Sequence, residues 1–193
     1  ALAFGGEGPP TTGATESYNG SAWTEVNDLN TAKQLAAGTG TQTSALSIGG
    51  LAPGDITANT ESWNGTSWTE VNDLNTARRD LGSAGADITA ALAFGGNPGG
   101  TLTESWNGTS WTEVNDLNTS RILPGSTGTQ PSALCFGGYD PGYSVYALTE
   151  SYNGTSWTEV ADLNSGRAGA AGAGTSTAAL AIAGPPLTKT ITE

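Results

Sequence analysis

Carboxylates recur through this chain at fixed spacing. Glu16, Glu61, Glu104 and Glu150 form one set, Glu25, Glu70, Glu113 and Glu159 a second, and Asp28, Asp73, Asp116 and Asp162 a third. A glycoside hydrolase needs two carboxylates at a set separation in unlike surroundings, one kept protonated and one ionised. Acids repeated in near-equivalent surroundings lack that asymmetry. They read as structural, the Asp set capping turns and one Glu set pairing with the repeated cations Lys33, Arg78, Arg121 and Arg167. Outside the repeats stand Glu7, Asp55, Asp80, Asp87 and Asp140, and no pair among them stands out. Histidine is absent. That removes the usual general base and transition-metal ligand, and with them Ser-His-Asp and Cys-His chemistry. The Asn-Asp-Leu-Asn segments have no calcium-loop spacing, so neither a metal nor a cofactor is expected. The single cysteine, Cys135, stands where other copies carry Ala3, Ser47, Ala93 and Ala181, and reads as a small buried thiol.

Two further groups of residues could carry contacts. Asn19, Asn64, Asn107 and Asn153 precede Gly-Ser or Gly-Thr, and Asn118 precedes Thr-Ser. All five match the N-glycosylation acceptor, although the first four are already explained as hairpin turns. The loops Glu7–Ala14, Leu51–Asn59, Asn97–Leu102 and Tyr139–Leu148 differ from copy to copy. The last gathers Tyr139, Asp140, Tyr143 and Tyr146, three of the five tyrosines in the chain. Loops on a rigid scaffold are the usual seat of binding, and Tyr supplies contact area at low entropic cost. These four residues are therefore the candidate ligand contacts, for a glycan or a protein surface. The competing reading folds the tyrosines onto a sheet edge.

The elements that would position these groups are copies of one unit. Ala-Leu-Ala-Phe-Gly-Gly or a variant starts at Ala1, Ala45, Ala91, Ala133 and Ala179. A variable loop follows, then Thr-Glu-Ser-(Tyr/Trp)-Asn-Gly from Thr15, Thr60, Thr103 and Thr149, then Trp-Thr-Glu-Val from Trp23, Trp68, Trp111 and Trp157, then the cation. The first segment alternates large and small residues, as a strand does. Asn-Gly between alternating runs predicts a hairpin with a type I′ turn. A Gly- and Ala-rich stretch such as Leu81–Ala91 supplies a fourth strand. No window has a helical period. The repeated Trp residues are expected to pack between neighbouring sheets, each burying roughly 150–250 Å², with sugar stacking as the rival role.

Four short antiparallel strands per repeat predict a propeller blade. The apolar strand ending in Gly-Gly, the aromatic at Tyr18, Trp63, Trp106 or Tyr152, the Trp that follows and the closing cation together resemble the kelch repeat. The resemblance spans essentially the whole chain. More particularly it is to kelch-like repeats of phage and viral-metagenome proteins, often structural or tail-associated. It implies an all-β propeller over residues 1–193, a single domain. Five blades are expected, the first lacking its Gly-rich strand and the fifth ending at a third strand, Thr188–Glu193. With no Met at its start, the chain reads as a processed product or part of something longer.

Composition limits the partners. A net charge of -12 with 6 Lys and Arg leaves too few cations for nucleic acid or an anionic membrane surface. No apolar run is long enough to span a bilayer as a helix. One cysteine permits no internal disulfide. The expectation is a non-enzymatic structural or binding module on a virion or outside a cell, contacting glycan or protein through its variable loops. Its rivals are an assembly subunit joined through its incomplete blades and a polysaccharide-active enzyme.

Overall fold

The computed structural model describes residues 1–184. The chain forms β1 (Leu2–Phe4), β2 (Thr15–Tyr18), β3 (Trp23–Val26), β4 (Ala37–Thr41), β5 (Ser44–Ile48), β6 (Leu51–Ala52), β7 (Asp55–Ile56), β8 (Thr60–Trp63) and β9 (Trp68–Val71). It continues with β10 (Gly82–Asp87), β11 (Ala90–Phe94), β12 (Thr103–Trp106), β13 (Trp111–Glu113), β14 (Gly125–Thr129), β15 (Ser132–Phe136), β16 (Thr149–Tyr152), β17 (Trp157–Val160), β18 (Ala171–Thr175) and β19 (Ala178–Ile182). Among the described residues all strand pairing is antiparallel, in six separate sheets: β1-β2-β3, β4-β5-β8-β9, β6-β7, β10-β11-β12-β13, β14-β15-β16-β17 and β18-β19. Among the described residues, no helix is long and apolar enough to cross a membrane.

The expected propeller is not formed. None of the six sheets closes into a barrel or a propeller, and no strand pairs the first sheet with the last among the described residues. Instead β4, β10, β14 and β18 lie side by side in series. The repeat dictates one sheet per copy and contact between successive copies. Nothing in a short-range pattern sets the rotation from one copy to the next, and closure depends on that angle. Among the described residues, the first sheet has three strands and the last has two. The expected third strand of the last copy, Thr188–Glu193, lies outside the described residues. The kelch-like, five-bladed reading is therefore withdrawn in favour of an open series of small sheets.

Core formation follows the repeat. Trp68, Trp111 and Trp157 are each 5% exposed. Each reaches back to the preceding sheet, where its indole N–H donates to Thr15, Thr60 or Thr103 Oγ1 at 3.0, 3.3 and 3.1 Å. The aromatic opposite each, Trp63, Trp106 or Tyr152, is buried as well. Trp23 has no preceding sheet and is 49% exposed. Three apolar clusters fill the spaces between neighbouring sheets.

Local chemistry departs from expectation at two places. The Asn-Gly hairpins are not two-residue type I′ turns. Trp63 pairs with Trp68 across Asn64–Ser67, and Asn64 Oδ1 accepts from Thr66 N and Ser67 N, both at 2.9 Å. The Asn side chain closes the turn, so of the pair only Gly65 takes a positive φ, 93°. The small hairpin β6–β7 inside the second loop was not expected, although Pro53-Gly54 at its turn is a signal for one.

Successive copies are also tied by backbone bonds two residues past the cation. Asp80 N donates to Leu35 O, Leu123 N to Asp80 O and Gly169 N to Leu123 O, at 3.0, 2.7 and 3.0 Å. Leu35, Asp80 and Leu123 hold φ of 55°, 56° and 53°, a left-handed conformation that only Gly169 (φ 63°) adopts without side-chain strain.

Candidate functional site

Most of the repeated charges are held by the scaffold. Asp28, Asp73, Asp116 and Asp162 each accept a hydrogen bond through Oδ1 from the N–H of the Thr that opens the second strand of the same copy, at 3.0–3.2 Å. Glu61, Glu104 and Glu150 are buried and accept from Asn30, Asn75 and Asn118 of the preceding copy. Arg78 pairs with Glu104 at 2.9 Å and Arg121 with Glu150 at 2.6 Å, all four side chains being essentially inaccessible. Each turn and cation thus completes the sheet that follows it. Glu16, in the first sheet, is exposed. Arg167 donates to Ala183 O at 3.2 Å. Glu25, Glu70, Glu113 and Glu159 face solvent.

Lys33 departs from the Arg pattern. Its Nζ donates to Asn59 Oδ1 at 2.7 Å and Asn59 O at 3.0 Å rather than to a carboxylate. Asn59 holds the place that Leu102 and Leu148 fill in the Arg-bearing copies, so an amide substitutes for the missing reach of guanidinium. Burial pulls the Lys33 ammonium down to about 8, against the partial support of Glu61, Asp73 and Glu70. Burial also pushes the Cys135 thiol up to about 12. The thiolate, the nucleophilic form, is therefore suppressed. Among the described residues, no group of three His, Cys, Asp or Glu side chains is placed to hold a metal ion.

The asparagines divide by position. Asn19, Asn64, Asn107 and Asn153 are exposed at hairpin tips and use Oδ1 to cap their own turns. Asn118 instead donates through Nδ2 to Glu150 Oε2 at 2.9 Å and Trp157 O at 3.0 Å, bonds that a glycan on that nitrogen would break.

The variable loops differ from copy to copy and make an asymmetric surface. A cleft of about 320 Å³ lies between the third and fourth loops, lined by Asn97–Gly100, Ser120, Ile122, Pro141 and Tyr143. Tyr143 is 61% exposed, with φ of 63°. A bulky residue in that region is strained, and such strain gathers at binding sites. The loop is fixed from within: Asp140 Oδ1 accepts from Gly142 N at 2.7 Å and Ser144 N at 2.8 Å. Tyr139 bonds Ile122 through its backbone and lies 6.0 Å from the Tyr143 ring. Tyr146 is half-buried with the Arg121 guanidinium over its ring at 5.9 Å.

Of the four sequence candidates, then, Tyr143 lines the cleft. Asp140 shapes the loop, Tyr139 backs Tyr143, and Tyr146 packs on the scaffold. Sequence reasoning missed Asn97, Pro98, Ser120 and Ile122. The unlike lengths of loops three and four were a signal, but their contact across copies was not. No family model matches the chain, and no curated protein matches it.

Proposed function

We propose that the chain is a non-enzymatic binding module that holds a short neutral glycan in the cleft between Asn97–Gly100 and Tyr143, on a virion or cell surface. The observation that carries this reading is Tyr143, a largely exposed aromatic kept in a strained backbone conformation at the mouth of the cleft. Its ring offers an apolar face to a pyranose, while the Asn97 amide and the Ser120 hydroxyl offer hydrogen bonds. No carboxylate lines the cleft, which favours binding over glycoside hydrolysis. Weak single sites would gain strength from many copies on one particle. A glycan array on the parent and on Tyr143→Ser tests the reading. Binding by the parent, lost in a variant with the same melting temperature, and no shortening of bound oligosaccharides, is the expected result. Equal binding by both proteins places the ligand elsewhere.

A further inference from the structure

The positions on either side of the repeated cation belong to the scaffold, yet one copy breaks their pattern. Before the cation stand Ala32, Ala77, Ser120 and Gly166, and after it Gln34, Arg79, Ile122 and Ala168. Only around Arg121 do a hydroxyl and a branched apolar side chain occur together. These same two residues, Ser120 and Ile122, line the Tyr143 cleft. Their segment is held from both ends. Asn118 N and Thr119 N donate to the Glu150 carboxylate at 2.7 and 3.2 Å, Arg121 pairs with it at 2.6 Å, and Ile122 N donates to Tyr139 O at 3.0 Å. Ser120 Oγ lies so close to Gly100 that a Cβ there would run into it, which sets the hydroxyl against the third loop.

The lining does not suit a sugar that offers hydroxyls alone. Pro98, Ile122 and Pro141 are apolar, and no charged residue lines the cleft. A plain hexose pressed on them would leave hydroxyls without partners, which costs affinity. A charged sugar would meet no counter-ion. Two polar side chains, Asn97 and Ser120, accompany the apolar group. The Asn97 backbone is already spent, since it exchanges hydrogen bonds with Arg79 at 3.0 and 2.8 Å. Its side-chain amide carries both donors and an acceptor, the complement of another amide. The volume of about 320 Å³ lies at the lower end for small-ligand sites, about 300–1,000 Å³, and suits a single sugar unit. An acetamido group matches this set, with a methyl, an N–H and a C=O in one short neutral substituent.

We infer, resting on the glycan reading above, that the cleft selects an N-acetylhexosamine unit. The acetyl methyl packs among Pro98, Ile122 and Pro141, the amide bonds to Asn97 and Ser120, and a face of the ring lies on Tyr143. Tyr143 supplies affinity for any pyranose, while Ser120 and Ile122 supply the preference for the acetamido group. The clamped segment that carries them is ordered before the sugar arrives, so little ordering is left to oppose binding.

The probes are the methyl glycosides of N-acetylglucosamine, N-acetylgalactosamine, glucose and fucose, titrated by NMR with saturation transfer from the protein. At least one N-acetyl sugar should bind the parent about tenfold or more tighter than glucose, with its acetyl methyl the most strongly saturated group. Fucose, which has a methyl but no amide, should stay near glucose. Ile122→Ala and Ser120→Ala install residues that other copies carry at these places, Ala168 and Ala32. Each should lose most of the N-acetyl preference and keep the glucose affinity and melting temperature of the parent. Glucose binding as tightly as both N-acetyl sugars, and abolished by Tyr143→Ser, overturns the acetamido preference and leaves the glycan reading standing. Fucose binding as tightly as the N-acetyl sugars also overturns it, as does an unchanged preference in both variants. Absence of binding by all four probes at millimolar concentration overturns it too, and the glycan array then decides the glycan reading separately.

Discussion

Lys33 gives the sharpest check on the packing between copies, because its burial has a pH signature. In the folded chain it titrates near 8, against an ordinary value of 10.5. Between those values the unfolded chain binds more protons, so stability rises with pH across the interval and is lowest below it, where a charged ammonium is held out of water. Cys135 acts in the opposite sense. Burial moves its thiol from 9.0 to about 12, so above about pH 9 the unfolded chain has released a proton that the folded chain keeps, and stability falls. From pH 8 to about pH 9.5, Lys33 contributes a gain of about 2 kcal/mol and Cys135 a loss of about 1 kcal/mol, a net rise of about 1 kcal/mol. Urea unfolding, followed by Trp fluorescence at several pH values, measures this in four proteins. Cys135→Ala should rise by about 2 kcal/mol over the window, Lys33→Met should fall by about 1 kcal/mol, and the double variant should be nearly flat. Parallel curves for the parent and Lys33→Met would refute the claim that a charged Lys33 is buried at a cost to folding.

Other substitutions test other contacts. Trp68→Ala should lower stability by about 3–5 kcal/mol, as deletion of a buried aromatic does, whereas Trp23→Ala in the exposed first copy should stay within about 1 kcal/mol in the same melts. Arg121→Met should destabilise by about 3–5 kcal/mol by leaving the Glu150 carboxylate buried without its partner, and replacing Glu150 with Gln as well should restore part of the loss in chemical denaturation. At Leu123, Gly should be more stable than Ala by about 1 kcal/mol, the reverse of the usual strand order, because the position demands a left-handed backbone. Equal stability of the two would show that this backbone relaxes.

Much of the local structure was legible because strand signals are short-range. Alternation in Ala-Leu-Ala-Phe, the Gly-Gly stop and the recurring Trp led to the strands and to packing between successive copies. What was hidden depends on relations between copies. The identity of Lys33 gave no hint that Asn59 replaces the carboxylate as its partner. Nor did the spacing of acids and cations reveal that each turn completes the following sheet, so that Glu104 pairs with Arg78 from the copy before it. The cleft was half legible. Tyr143 stood out by composition, whereas Asn97 and Ser120 join it only through the packing of one copy on the next. Closure failed as an expectation because a sequence period counts sheets without fixing the angle between them.

The reach of each turn into the next sheet has a consequence for how such a gene can change length. Thr60–Asn75 and Thr103–Asn118 are identical, so unequal crossing-over between their coding stretches would excise Thr60–Leu102 in frame and join Asn59 to Thr103. The shortened protein would keep Lys33 against Asn59, bring Asn30 to Glu104 in place of Glu61, and still send Arg121 to Glu150. Every buried charge would find a partner of the kind it has now, because the exchange points lie within equivalent sheets rather than between them. The same event in reverse adds a copy. Duplication and loss of whole units would then pass as folded variants, and loop clefts such as that of Tyr143 could be gained or discarded without disturbing the remainder of the array.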